Sequence, residues 1–291
     1  MSTAWSWVVI IGTLGSIVFF FAVLHLNRHT SSGPGETTGH NYDGIEEFDN
    51  PLPAWWYWLF LLTLIYGVGY LIWYPGLGNF PGTGSWTSVG ELEADQEASH
   101  AKYEPLFAKY SDLPVEEIHK DPAAAKMGQR LFSNNCAVCH GSTAAGGFGF
   151  PDLIDEVWTW GGDGVAIEQT ILEGRKAAMP GWGAAIGEQG VGHVTSYILS
   201  LNDREADSES VAQGKTLFGT YCIACHGPDG KGMLALGAPD LTNGIWLYGN
   251  SRSRIEFSIK RGRNGEMPGF RHTLGENKAH VLAGYVYGLS R

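Results

Sequence analysis

Two stretches of the chain show no alternation of polar and apolar positions. Residues from about Trp7 to Leu26, and from Ala54 to Trp73, are apolar almost throughout and contain no Asp, Glu, Lys or Arg. Each is close to the roughly 20 residues that cross a bilayer core, which predicts transmembrane helices within residues 1–30 and 54–74. The first lacks a basic leading region, and LHLNRHT follows it where a small-residue cleavage site would stand, so it reads as an anchor and not as a removable signal. The second opens PLPAWWYW and closes YLIWY, placing aromatic belts where a helix meets the headgroups. Residues 31–53 between the spans read as a cytoplasmic loop.

Beyond the second span the pattern changes. Residues 75–120 begin with the turn-rich PGLGNFPGTGSW and continue as the charged ELEADQEASHAKYEPLFAKY, which predicts a periplasmic linker with one polar spacer helix. From residue 121 apolar residues recur at helical spacing. Asp121 and Pro122 form an N-cap and N1 pair ahead of AAAKMGQRLFSNN, and a second helix starts at Ser208 or Ser210 and runs through VAQGKTLFGTY. Two late helices carry apolar stripes, Val194, Tyr197, Ile198 and Leu201 in one and Val281, Leu282, Tyr285 and Leu289 in the other. These stripes are core positions.

The helices repeat. NNCAVCHG at 134–141 returns as TYCIACHG at 220–227, a shift of 86, and after a two-residue insertion the shift becomes 88. PDLIDEVWTWGGD then matches PDLTNGIWLYGNS, EGRKAAMPGW matches RGRNGEMPGF, and SYILSL matches GYVYGL. Self-similarity of this kind marks duplicated units, here residues 121–205 and 206–291. The fold class is therefore mainly α: two transmembrane helices followed by two small helical domains.

Composition narrows the function. The net charge of −11 offers no basic footprint for nucleic acid. Residues 1–120 carry 4 − 13 = −9, residues 121–205 carry 5 − 10 = −5 and residues 206–291 carry 10 − 7 = +3. The two repeats thus differ in sign, which suggests different docking partners, with Arg252, Arg254, Arg261 and Arg263 as the basic group.

All four cysteines, Cys136, Cys139, Cys222 and Cys225, lie in CxxC pairs followed at once by His140 or His226. CxxCH attaches haem c, because two thiols one helical turn apart reach the two vinyl groups while the adjacent His ligates iron. A zinc site would need four Cys or His ligands, and two motifs in register within a repeat favour two covalently bound haems c. One His fills one axial position. Met179 and Met267 stand 88 residues apart, each followed by Pro-Gly, and are the candidates for the sixth ligand, one behind each motif. Met127 and Met233 have no counterpart in the other copy and read as packing or loop residues; His193, His272 and His280 also lack register partners.

A helix entering CxxCH, a PDL segment, a late MPG and a C-terminal helix with an aromatic together resemble class I cytochromes c. That resemblance implies that Gly128 and Phe132 cross Tyr197, and that Gly214 and Phe218 cross Tyr285. HNYDGIEEFDNPLPAWWYWLF at 40–60, leading into a span and then the two domains, is similar to the dihaem subunit III of cbb3-type (C-family) cytochrome c oxidases, the CcoP or FixP family. Short relatives have one span, and this chain has an additional one. The resemblance implies a proton-pumping oxidase that reduces oxygen to water, with a catalytic haem–copper subunit and a monohaem cytochrome c subunit as partners and a soluble or membrane-bound cytochrome c as donor. This chain would transfer electrons and hold no catalytic residue of its own. Bacteria attach haem c outside the cytoplasm, so the N-terminus and both haem domains are expected in the periplasm, on the inner membrane. The single basic residue between the two apolar runs, in Asn27 to Pro53, is Arg28, which agrees with a cytoplasmic loop. A relay of another periplasmic complex, a dihaem peroxidase and a gas-binding module remain alternatives at this point.

Overall fold

The computed structural model describes residues 1–29 and 36–291, so the start of the predicted cytoplasmic loop, at 30–35, lies outside the described residues. The chain divides into two compact units, residues 1–101 and 102–291.

In the first unit, α1 (Thr3–Leu26) and α2 (Ala54–Trp73) are the two apolar helices expected from the sequence. Their side chains are almost wholly bare: Ile11, Val18, Leu62 and Ile65 are each 60–66% exposed. An apolar surface of that extent is stable only against lipid or another apolar protein. Ser2 caps α1 by accepting from the Trp5 N–H. At the same end, the Asn79 N–H donates to the buried Ser6 Oγ at 2.8 Å, and Gly78 packs on Ser6 so closely that a Cβ would lie 2.3 Å from that oxygen. At the other end the Arg28 guanidinium lies 4.7 Å from the centre of the Tyr57 ring. The predicted plain loop is in part a hairpin, β1 (Thr37–Tyr42) antiparallel to β2 (Ile45–Phe48), turning through Asp43 and Gly44, both with positive φ.

Helix α3 (Ser88–Ala108) begins in the first unit and ends in the second. The expectation of a simple polar spacer over 75–120 needs correction. Phe107 and Tyr110 are buried with Ile118, from α4 (Val115–Ile118), and with Ala124 and Val281, so residues 107–118 belong to the core of the haem-motif unit. A spacer sequence would carry no such apolar anchors.

The second unit follows the repeat. Helix α5 (Pro122–Asn135) runs into the one-turn α6 (Ala137–His140); α7 (Gly164–Glu173), β3 (Arg175–Met179) and α8 (Gly183–Ser200) follow. The second copy gives α9 (Ser208–Tyr221), α10 (Ile223–His226), α11 (Arg252–Arg261), β4 (Arg263–Met267), α12 (Arg271–Leu274) and α13 (Glu276–Leu289). Asp121 and Asp207 cap α5 and α9, accepting from the N–H groups of Ala123 and Ser210. Helix α8 breaks at Gly187 (φ 67°), the counterpart of Gly275 (φ 73°) between α12 and α13.

The packing does not follow chain order. Helix α13 packs on α4, just ahead of the first copy, and on α5 and α7 within it, whereas α8 packs on α9 and α11 of the second. Gly128 and Phe132 therefore cross Tyr285, not Tyr197: a Cβ on Gly128 would lie 2.3 Å from Tyr285 Cβ, and the Phe132 and Tyr285 rings are 5.8 Å apart. Gly214 and Phe218 cross Tyr197, not Tyr285, with rings at 5.2 Å. Each lobe is thus built from both repeats.

The exchange has a local cause. Strands β3 and β4 pair antiparallel in the register Arg175↔Met267, Ala177↔Gly265 and Met179↔Arg263. Because 177 and 265 are equivalent positions of the repeat, a pseudo-twofold axis runs through that pair. Five extended residues carry each chain about 17 Å, past the other strand and into the opposite lobe. Trp182 N–H then donates to the Ile259 carbonyl at 2.8 Å, and Phe270 N–H to the Ile171 carbonyl at 2.9 Å. Gly174 (φ 75°) and Gly262 (φ 77°) make the close approach possible. A Cβ on either would sit 2.3 Å from the carbonyl oxygen of Met267 or Met179, respectively.

Candidate haem-binding sites

In each copy a capped helix delivers the CxxCH turn. The Cys139 N–H donates to the Cys136 carbonyl at 3.1 Å and the Cys225 N–H to the Cys222 carbonyl at 3.2 Å, which sets the paired thiols one turn apart. Cys136 and Cys222 are half-buried, while Cys139 and Cys225 are exposed, and none of the four is in a disulfide. Burial, with the second cysteine of each pair adding to it, pushes the Cys136 and Cys222 thiols up to about 11. A dithiol redox centre needs the opposite shift.

His140 and His226 are both 8% exposed. His140 Nδ1 lies 2.9 Å from the Pro151 carbonyl oxygen and His226 Nδ1 lies 3.2 Å from that of Pro239. A donating Nδ1 leaves the Nε2 lone pair for a metal, the usual device for orienting a ligating His. Burial holds His226 below its ordinary pKa, opposed by the Pro239 hydrogen bond, which keeps the ring neutral and able to ligate. The loops beneath are fixed in the same way twice: Gly146 N–H donates to the His140 carbonyl and Gly232 N–H to that of His226, both at 2.8 Å. Both glycines have positive φ, and a Cβ would meet the carbonyl of Phe150 or Ala238 at 2.3–2.4 Å. The residues present therefore fit haem c at both motifs.

The methionines follow the exchange. Met179 packs against the cluster of Val191, Val194, Ile198, Ile255 and Ile259, which also holds Cys222. Met267 precedes Phe270, and Phe270 packs with Leu153 and Trp158 in the cluster that holds Cys136. Met179 thus shares a core cluster with Cys222 of the second motif, and the segment that follows Met267 packs into the cluster with Cys136 of the first. Met127 lies against the core of the first lobe and Met233 is exposed. Among the described residues no group of three or more His, Cys, Asp and Glu side chains is placed to hold a metal ion.

The basic group in the second copy is partly engaged at the seam between lobes. Arg254 lies 4.9 Å from the Phe148 ring, Arg252 donates to Ser196 Oγ and pairs with Glu256, and Arg263 stacks on Tyr248 and Phe257. Across the same seam the Gly149 N–H donates to the Leu247 carbonyl at 2.8 Å, and Gly237 packs directly on the Trp160 indole. Arg263 was expected only as part of the basic group, and Arg175, Trp160 and Tyr248 not at all, although Gly-Arg recurs ahead of both MPG segments and marks the two arginines.

Two family profiles match the chain: the N-terminal domain of cytochrome oxidase-cbb3, FixP, over residues 34–81, and cytochrome c oxidase, cbb3-type, subunit III, over residues 123–198 and 209–286. The chain belongs to the subunit III family of cbb3-type cytochrome c oxidases. A CcoP subunit from Rubrivivax gelatinosus is 42% identical over 100% of this chain and 96% of its own length. A CcoP subunit from Cereibacter sphaeroides is 37% identical over 90% of this chain and 98% of its own length, and a FixP subunit from Azorhizobium caulinodans is 36% identical over 91% and 97%. Membership of this subunit III family makes the chain a membrane-bound, haem c-binding, electron-transferring part of an oxidase, and it does not favour the peroxidase and gas-binding readings.

Proposed function

We propose that this subunit III holds two covalently attached haems c with exchanged axial methionines. Cys136 and Cys139 attach the first, with His140 and Met267 as its axial ligands; Cys222 and Cys225 attach the second, with His226 and Met179. The packing of Met179 and Cys222 against one core cluster, reached across the paired β3 and β4 strands, carries this reading. His/Met coordination favours ferrous iron, raises the potential and fills both axial positions, which suits electron transfer and excludes substrate binding. His140 and His226 are held by carbonyl contacts, and Met179 and Met267 end the two strands of a paired ribbon, which favours fixed ligands and a small reorganisation energy of electron transfer.

The chain then takes electrons from a soluble or membrane-bound cytochrome c and passes them towards the haem–copper subunit that reduces oxygen to water, alongside a monohaem cytochrome c subunit. The N-terminus and both haem lobes face the periplasm, and the β1–β2 hairpin faces the cytoplasm. Exclusion of charge from α1 and α2, together with their bare apolar surfaces, supports the two-span anchor. The test is to purify the chain from its native membrane in mild detergent. Two haems c per chain, accompanied by haem b, copper and oxygen uptake with a reduced donor, are expected. A preparation holding haem c alone, or a dehydrogenase, would remove the oxidase assignment.

A further inference from the structure

Arg263 is a half-buried cation whose Nη2 is buried without a hydrogen-bond partner. Its Nε donates to Ser258 Oγ at 2.9 Å, and its guanidinium lies 4.1 Å from the Tyr248 ring centre and 5.0 Å from that of Phe257. Two aromatic walls and one hydroxyl do not neutralise a buried charge, which ordinarily demands an anion. Among the described residues no carboxylate lies within ion-pair distance of Arg263.

The strand register says where that anion would be. Arg263 is the direct ladder partner of Met179. Residues directly opposite in an antiparallel pair project from the same face, with Cα atoms about 4.5–5.5 Å apart. The cation and the sulfur therefore lie on one side of the ribbon. In the first lobe Arg175 stands opposite Met267 in the same way, stacked 5.0 Å from the Trp160 ring and donating to Thr170 Oγ1, the equivalent of Ser258. That lobe has its own buried donor without a partner, the Trp158 Nε1–H.

We propose that Arg263 pairs with a propionate of the haem attached at Cys222 and Cys225, holds that carboxylate ionised and sets the potential of that haem. The inference rests on the exchanged ligation described above. A guanidinium with an unpartnered Nη2 can make a charge-assisted contact to a carboxylate, and the positive charge is what holds that carboxylate ionised. Removing the cation favours the ferric, more positive haem, so the potential falls. It also lets the propionate take up a proton near neutral pH, so the potential becomes pH-dependent.

The experiment is a potentiometric titration of the intact oxidase across a range of pH, comparing wild type with R263Q and R263K; M179H and M267H mark which spectral component belongs to which haem. R263Q is expected to keep both haems and both methionine-to-iron charge-transfer bands, to lower the midpoint of the Met179-linked haem alone, and to give it pH dependence near neutrality. An unchanged midpoint and pH profile in R263Q, or a shift confined to the Met267-linked haem, would overturn the proposal. If R263Q does not load the second haem, R263K decides. A midpoint at the wild-type value near neutral pH supports a charge role, and a lowered midpoint without pH dependence refutes it. Wild-type protein lacking the charge-transfer bands would overturn the ligand assignment and this inference with it.

Discussion

Gly128→Ala should loosen the last helix of the chain and leave the last helix of its own repeat untouched. The Cβ it adds would lie 2.3 Å from Tyr285 Cβ, 3.0 Å from Tyr285 Cγ and 3.2 Å from the Val281 carbonyl oxygen. Carbon atoms rest about 3.5–4.0 Å apart, so the overlap exceeds an ångström. Tyr285 Cβ is fixed to the α13 backbone and cannot swing away, which leaves separation of α5 and α13 as the relief. Overpacking of this kind costs about 1–3 kcal/mol, equivalent to roughly 5- to 140-fold in an opening equilibrium. Hydrogen exchange of the full chain in detergent reads this directly, because amides of α13 exchange through such openings. Peptides covering 276–289 should exchange faster by a factor in that range while peptides covering 188–200 stay at wild type. Gly214→Ala, whose Cβ would meet the His193 carbonyl oxygen at 2.0 Å, should do the reverse. Faster exchange of 188–200 in Gly128→Ala would refute the exchanged packing.

Phe132 is 1% exposed at the centre of the first lobe, and Phe132→Ala should destabilise that lobe by about 3–5 kcal/mol in thermal or denaturant unfolding, with the second lobe less affected. Asp121 is held below its ordinary pKa by the Tyr110 hydroxyl and then by the Ala123 N–H, and Asp207 by the Ser210 N–H. Their capping contribution is present above the ordinary carboxylate range and is lost as pH falls through the lowered values, so exchange at the starts of α5 and α9 should rise only in strong acid. Glu46→Cys, on the exposed strand β2, should react with an impermeant thiol reagent only when the cytoplasmic face is open; labelling in intact spheroplasts would reverse the topology.

The elements were legible because their causes are local. Charge-free runs of membrane length gave α1 and α2, and the Asp121–Pro122 pair marked the start of α5. The two CxxCH turns and both MPG segments stand in register between the copies. What the residues could not reveal was which copy each late helix packs on, since Tyr197 and Tyr285 occupy equivalent places and either fits the Gly-Phe pair of either copy. The choice is made by the β3–β4 pairing, whose strand residues Arg-Lys-Ala-Ala-Met and Arg-Asn-Gly-Glu-Met carry no clear strand signal. Likewise, Phe107 and Tyr110 sit at the end of a run so rich in Glu, Asp and Lys that its polar character hid two core anchors.

Exchanged ligation is tested most directly in a chain that carries only the second haem, made by C136S together with C139S, using the ferric methionine-to-iron charge-transfer band as the readout. The band should persist in that chain and in its M267L derivative, and disappear in its M179L derivative. Loss of the band in M267L with retention in M179L would contradict the crossed assignment and return each methionine to the motif of its own repeat.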